Sequence, residues 1–320
     1  MTQLLDRYNQ ISTAANVQSG AITVLDSATV PRSPVSPDIV QNMILALVLG
    51  IALAGGLALV REIFVDQFRR AEDLDERLGL PVLGITPHVT SEAVDQQEAN
   101  QFSSLMEAYA SIRSTIDFAV PREGAVVQLT SSQASEGKST TALILAELFA
   151  RLGRKTLLID ADLRKPSIVK LLDVEKPESG IAEVLLGHAT MEEALIEGVH
   201  ENLHILSVAG IPPNPVELVS SRRFHEFINK QREEYSLVLV DSSPVLGLAD
   251  APQIAQIVDA SIFVIEANRT SFSQAKTAIK RLQSVGANVI GGILTKYRSL
   301  EAGSDYAYQY QYYQYGGDKD

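Results

Sequence analysis

The sequence predicts an α/β fold: a doubly wound, mostly parallel sheet, preceded by one transmembrane helix and followed by a flexible Tyr-rich tail. Three observations carry that prediction. From residue 124 onward, short apolar runs rich in β-branched residues alternate with helical segments, the pattern of βαβ units whose strands are buried on both faces. Residues 43–60, MILALVLGIALAGGLALV, contain no charge. Six of the ten tyrosines fall within the last fifteen residues, in DYAYQYQYYQYGG.

Composition narrows the field. The chain has 320 residues, 46% apolar and 21% charged, enough for a full core in one large domain or two smaller units. A formal net charge of −12 argues against nucleic acid as a partner. The absence of cysteine excludes disulfides and thiolate metal sites. The five histidines, His88, His188, His200, His204 and His225, form no HExxH pair, so each reads as a surface or satisfied histidine.

Residues 1–38 are mixed and polar, with ITVLDSATV as one possible short strand and PRSPVSP favouring extended structure. Residues 39–62 are assigned to the membrane helix. At about 1.5 Å per residue, its eighteen-residue apolar run spans roughly 27 Å, close to a bilayer's hydrocarbon thickness. A buried helix in a soluble core is the competing reading. Arg61, Arg69 and Arg70 follow the run and favour the membrane, with a cytoplasmic C-terminal side. Gly50, Ala54 and Ala58 share one helical face, as do Ala52 and Gly56, which permits close helix approach in lipid.

Residues 63–101 read as a juxtamembrane linker. REIFVDQFRRAEDLDERLG has helical charge patterning, LPVLGITP is a short buried stretch, and 88–101 are polar. An amphipathic helix is expected over 102–120. The α/β domain is assigned to 102–298, with AVVQLTS, KTLLIDAD, NLHILSVA, YSLVLVDSS, ASIFVIEAN and NVIGGILTKY as its apolar runs. Residues 299–320 form the tail.

Chemistry concentrates at the ends of these runs. TSSQASEGKST places Gly137-Lys138-Ser139 between a strand and a helix, the setting of a phosphate-binding loop. Backbone N–H groups there point at phosphate oxygens. Lys138 would reach the β- and γ-phosphates, and the Ser139 hydroxyl would take a place on Mg²⁺. The first glycine of GxxxxGK[ST] is replaced by Ser132, so the motif alone is equally a simple helix start. Asp160 and Asp162 in LLIDADLR, and Asp241 in LVLVD, stand at carboxyl ends of buried strands. Singly each reads as a cap or turn residue. Together, beside the loop, the three carboxylates would converge on a hydrated Mg²⁺ at the edge where open α/β sheets collect ligands.

These motifs resemble those of the bacterial tyrosine kinases, the BY-kinases, fused to or paired with Wzz-type polysaccharide co-polymerases that regulate exopolysaccharide chain length. TSSQASEGKST is similar to their Walker A motif, LLIDADLRKP to their A′ motif (DxDxR) and LVLVDSSP to their Walker B motif. GIAEVLLG, AGIPPNPVELVSSRRF, DASIFVIEA and GGILTKY also resemble family segments, as does the junction from PRSPVSP to LGLPVLGITP. The resemblance covers nearly the whole chain. It implies a P-loop NTPase-type fold and a membrane-anchored, autophosphorylating protein-tyrosine kinase using ATP and Mg²⁺.

Carried over residue by residue, the resemblance makes Ser132, Gln133, Ala134, Ser135, Glu136, Gly137, Lys138, Ser139 and Thr140 the nucleotide-binding loop. Lys138, Asp160, Asp162 and Asp241 become catalytic, with Asp160 accepting or orienting the tyrosine proton. Ser139, Asp162 and Asp241 hold the metal. Tyr306, Tyr308, Tyr310, Tyr312, Tyr313 and Tyr315 become phosphoacceptors, served mostly between subunits. The implied partners are other copies of the chain in a ring, the bacterial inner membrane, the polysaccharide export machinery and a tyrosine phosphatase, with no nucleic acid.

The sequence departs from the family pattern in three places. EAYASIR keeps Glu107 and Arg113 of the ExxRxxR subunit-contact motif but has Ala110 in its middle. Ala134-Ser135 stands where Pro-Gly is frequent. Only about forty residues precede the apolar run, and LLDRYNQISTAANVQSGAITVLDSATV resembles the last part of the periplasmic domain of fused members.

Two other function classes remain in view. A ParA/MinD-like ATPase would carry a second lysine five residues before Lys138, where this chain has Gln133. A non-catalytic, nucleotide-dependent co-polymerase scaffold would need no intact Lys138, Asp160, Asp162 and Asp241. The alternation in YAYQYQYYQY has the period of an edge strand, but Gly316, Gly317, Asp305, Asp318 and Asp320 favour a solvated segment. Six phosphates there would add roughly −9 to −12 charges, which would drive neighbouring subunits apart.

Overall fold

The computed structural model describes residues 2–17, 36–63, 66–89 and 95–298. ITVLDSATV and the tail with its six candidate tyrosines lie outside the described residues. The chain divides into two compact units, Met1–Phe64 and Val65–Asp320.

The first unit contains helix α1 (Thr2–Val17) and helix α2 (Ile39–Ile63). Sequence reading left 1–38 without a helix. In α2, Ile39–Leu57 is 19 residues with a mean hydropathy of 2.0, long and apolar enough to cross a membrane. None of that window is buried within the protein, so the alternative of a buried soluble-core helix does not hold for the described residues.

The second unit is built on one eight-stranded sheet. Its elements in chain order are α3 (Glu72–Leu78), β1 (Val82–Pro87), α4 (Asp95–Ala119), β2 (Ala125–Ser131), α5 (Lys138–Arg151) and β3 (Thr156–Ala161). Then come α6 (Ile168–Leu172), α7 (Ile181–Leu186), α8 (Met191–Ala194), β4 (Leu195–His200), β5 (Leu203–Leu206), α9 (Pro215–Val219) and α10 (Arg222–Glu234). The last are β6 (Leu237–Ser242), α11 (Asp250–Ala255), β7 (Ala260–Glu266), α12 (Phe272–Ser284) and β8 (Val289–Tyr297). The strand order is β1-β8-β7-β2-β6-β3-β5-β4. Every pairing is parallel except β4 with β5.

Both sheet faces are covered, which explains the continuous apolar runs. Successive side chains alternate between faces. Val127, Leu129, Leu158 and Leu239 pack with Ile112, Ile116, Leu145 and Phe149 of α4 and α5. Val126, Ile159, Val238 and Val240 pack on the other face with Phe224 and Ile228 of α10. On that second face, Phe263, Ile265 and Leu294 pack with α3, α11 and α12. Gln128, in the middle of β2, is fully buried yet satisfied. Its Nε2 donates to Ser242 Oγ at 2.8 Å and to the Ala251 carbonyl at 2.9 Å, and its Oε1 accepts from Ser261 Oγ at 3.1 Å.

The structure redraws four expectations. LPVLGITP, placed by sequence inside a linker, supplies β1, the outer strand beside β8. Of the helically patterned 61–79, residues 61–63 end α2 and only Glu72–Leu78 forms a further helix, α3; Asp66–Phe68 runs extended beside 268–272. There Phe272 N donates to the Asp66 carbonyl at 2.8 Å, and Gln67 bridges Ser271. Asp73 Oδ2 then accepts from Arg69 N and Arg70 N, and Gly79 closes the helix in a left-handed conformation. The amphipathic helix expected from 102 starts at Asp95, within the stretch read as polar linker. Finally, the strand β4 was not read, because MEEALIEGVH has helical composition. Thr190 and Glu193 do start a helix through a reciprocal capping box, but it stops at Ala194, and the chain turns at 200–203 into a hairpin with β5.

Gly124, just before β2, has φ +72, and a Cβ there would stand 2.3 Å from the Arg232 carbonyl oxygen. Gly124→Ala is therefore expected to destabilise the second unit by about 2 kcal/mol or more, read as an earlier urea midpoint; an unchanged midpoint contradicts it.

Candidate active site

Strand order brings the sequence motifs together. β6 lies between β2, which runs into the phosphate loop, and β3, which carries the aspartates. Across the β3–β6 ladder, Asp160 is the register partner of Asp241, and across β2–β6 Asp241 is the partner of Leu129. The loop after β2 and the carboxylates thus meet at the strands' carboxyl edge.

The loop is a strained turn. Ser135 has φ 71 and Gly137 φ 94; the Cβ of Ser135 makes its conformation costly. Surrounding bonds hold it. The Ser135 carbonyl accepts from Lys296 Nζ at 3.0 Å and Arg269 Nη1 at 3.4 Å. The Glu136 carboxylate accepts from Ser132 Oγ at 2.6 Å, Gln133 N at 3.0 Å and Thr270 Oγ1 at 2.6 Å. Thr295 Oγ1 donates to the Glu136 carbonyl at 2.7 Å. Of the nine loop residues singled out from sequence, Gln133, Ala134, Ser135, Gly137, Lys138, Ser139 and Thr140 line a cavity of about 650 Å³. Ser132 and Glu136 are buried behind it and brace the loop from within. Glu136 as a brace was not legible from the motif; the signal lay in Thr270, more than a hundred residues away.

Lys138 is the centre of the cluster and only 6% exposed. Its ammonium stands 3.1 Å from Asp162 Oδ2, 3.3 Å from Asp241 Oδ1 and 3.2 Å from Ser139 Oγ. Burial alone would lower its pKa, but Asp241 and then Asp162 outweigh burial and raise it, so it stays charged. Burial raises the pKa of Asp241 against the pull of Lys138. The other carboxylate oxygen of Asp241, Oδ2, is buried without a hydrogen-bond partner among the described residues.

Asp160 does not converge with these two groups. Its Oδ2 accepts from Ser167 N at 3.1 Å and Ile168 N at 3.2 Å, and its Oδ1 from Asp162 N at 3.3 Å. It has no exposed surface and is absent from the cavity wall, whereas Asp162 forms part of that wall. The expected three-carboxylate metal set is therefore two carboxylates and a hydroxyl. Among the described residues no three acidic or histidine side chains gather on one point. Asp162, Asp241 with its orphaned oxygen, and Ser139 remain a donor set suited to Mg²⁺, which binds few carboxylates and keeps waters.

Residues 125–289 match the "AAA domain" family, and residues 1–63 match the family described as "G-rich domain on putative tyrosine kinase". The chain is 38% identical over 203 residues to the tyrosine-protein kinase YwqD of Bacillus subtilis, covering 63% of this chain and 85% of that protein. It is 26% identical over 310 residues to a putative tyrosine-protein kinase in the cps region of Klebsiella pneumoniae, covering 91% of this chain but 43% of that protein. The fold superposes on the kinase domain of the Escherichia coli tyrosine kinase ETK with a TM-score of 0.65 and 25% identity, over 74% of this chain and 97% of that one.

Burial, and then Asp241, push the carboxyl of Asp160 up to about 7 from an ordinary 3.8. The folded chain then holds that proton more tightly than the unfolded one, so stability present at low pH is lost as pH rises from about 4 through about 7. The nucleotide-free protein should melt at a lower temperature at pH 8 than at pH 5.5, with a smaller difference in Asp160→Asn; equal differences in the two chains contradict the assignment. Separately, Glu136→Ala removes three bonds to a buried carboxylate and should weaken binding of a fluorescent adenine nucleotide about tenfold or more; unchanged affinity would show that the brace is dispensable.

Proposed function

Because the chain belongs to the bacterial tyrosine-protein kinases, we propose that it transfers the γ-phosphoryl group of ATP to tyrosines of its own C-terminal tail, mostly between subunits. The observation that carries this reading is the Lys138–Asp162–Asp241 cluster at the edge of β2, β6 and β3, opening on a cavity of about 650 Å³. Phosphoryl transfer needs charge neutralisation and in-line positioning more than covalent help, and such a cluster supplies both.

In this reading the loop's backbone N–H groups and Lys138 bind the phosphates. Asp162, Asp241 and Ser139 hold Mg²⁺, which neutralises charge on the phosphoryl oxygens. Asp160 receives the tyrosine proton: a carboxyl titrating near 7 suits a base at neutral pH. Its burial behind Asp162 requires that Ser167, Ile168 or Asp162 give up an N–H bond when the acceptor docks. The α2 helix anchors the kinase in the inner membrane, with the second unit in the cytoplasm. The setting is exopolysaccharide polymerisation and export, which the cps-region relative supports. Assembly into a ring uses α4, where Glu107 is exposed and Arg113 is half-buried, and a tyrosine phosphatase resets the tail.

Purified chain incubated with ATP and Mg²⁺ is expected to accumulate phosphotyrosine, and Lys138→Ala to abolish it. Deletion of residues 305–320 should remove nearly all of it, and Asp160→Asn should slow transfer more than it weakens ATP binding. Undiminished phosphotyrosine after the deletion would place the acceptors elsewhere, and equal loss of transfer and binding in Asp160→Asn would make that residue structural.

A further inference from the structure

The cavity wall holds a cation that the phosphate loop does not provide. Arg164, two residues past Asp162, lines the cavity together with Lys138 and Asp162. Its Nε donates to Asp250 Oδ2 at 2.8 Å. Neither Nη1 nor Nη2 has a protein partner among the described residues. Lys296, on the same wall, is already engaged by the Ser135 carbonyl and Glu266 Oε2.

Asp250 is the unusual half of this pair. It is the first residue of α11, and its side chain is 3% exposed. Its Oδ1 has no partner within the described residues. A buried carboxylate with an unpaired oxygen is costly, and an apolar residue of similar size would serve stability as well. What Asp250 does provide is orientation. With Nε engaged, the Nη1/Nη2 edge stays whole, a planar fork that matches two oxygens of a phosphoryl group.

The clamp also stands on the strand that carries the phosphate loop. Ala251, next to Asp250, is tied by its carbonyl to Gln128 Nε2 in the middle of β2. Arg164, in the turn that follows β3, is thus held through Asp250 to β2. Arg164 lines the same cavity as Lys138 and Ser139, so its guanidinium borders the space in which the loop would hold phosphate.

We propose that Arg164, positioned by Asp250, is a catalytic arginine supplied in cis that holds oxygens of the phosphoryl group during transfer. This rests on the phosphotransfer reading above. In the step, the bond from the terminal phosphorus to the β–γ bridging oxygen breaks and a bond to the tyrosine oxygen forms. The tyrosine proton passes to a carboxylate. Arg164 neither gives nor takes a proton; it neutralises charge on the equatorial oxygens, where an arginine acts most strongly in such transfers.

The test uses the full chain in detergent, with a Lys138→Ala copy as acceptor and radiolabelled ATP as donor. Arg164→Ala should lower kcat by about 100-fold or more while ADP affinity stays within about twofold. Arg164→Lys keeps the charge but loses the fork, and should recover only a small part of that loss. Asp250→Ala should lower kcat about tenfold in the native chain and cause no further loss in Arg164→Ala, because the two act as a unit. The proposal is overturned if Arg164→Ala keeps kcat, if Arg164→Lys restores it fully, or if the Asp250→Ala loss adds in full to that of Arg164→Ala. A native chain that forms no phosphotyrosine would instead overturn the kinase reading itself, and this step with it.

Discussion

The site depends on one shared cation. The Lys138 ammonium lies between Asp162 and Asp241, 3.1 and 3.3 Å away, in a place from which water is almost excluded. Asp160, opposite Asp241 in the β3–β6 ladder but without an ion pair to Lys138 among the described residues, adds a third buried carboxylate. If all are ionised, the buried cluster is short of two positive charges. Burying unbalanced charge is expensive, and even well-paired buried ions rarely repay their desolvation. One response lies within the cluster: Asp160 keeps a proton until about pH 7. A bound divalent cation would supply the missing charge, and the phosphates of a nucleotide would give Lys138 an alternative partner. The arrangement is better explained by what it binds than by what it adds to stability.

The rest of the second unit holds that cluster in place. Central position in a parallel sheet fixes β2, β6 and β3 side by side, and Gln128 cross-links β2 to Ser242 of β6 and to the start of α11. Glu136 ties the strained loop to Thr270. The segment carrying Thr270 is itself bonded to Asp66–Phe68, where Phe68 N donates to the Thr270 carbonyl at 3.4 Å and Asn268 N to the Phe68 carbonyl at 2.8 Å. Residues just past the apolar helix are therefore part of the scaffold behind the phosphate loop, a role that their polar sequence does not announce.

Much of this was legible in the sequence, for identifiable reasons. Strands buried on both faces leave unbroken apolar runs, so six of the parallel strands could be read directly. β4 could not, because an edge strand made of MEEALIEGVH-like residues owes its form to its hairpin partner rather than to its own composition. Lys138, Ser139, Asp162 and Asp241 come together as the sequence suggests, because a motif at a strand end has one place to go in an open sheet. Asp160 was misplaced among them: sequence puts its Cα at the right edge, but only the turn after β3 shows that Ser167 and Ile168 claim its oxygens. Glu136 and Asp250 act through partners more than eighty residues distant in the chain, a relation that spacing does not encode.

The central claim is that Lys138 and a divalent cation compete for the same two carboxylates, with the nucleotide deciding between them. Electron paramagnetic resonance titration of Mn²⁺ into the full chain tests this directly. Tight Mn²⁺ binding is expected only with a non-hydrolysable ATP analogue present, and Lys138→Ala should allow it without nucleotide. Equal Mn²⁺ affinity with and without the analogue, in the native chain and in Lys138→Ala alike, would contradict the account.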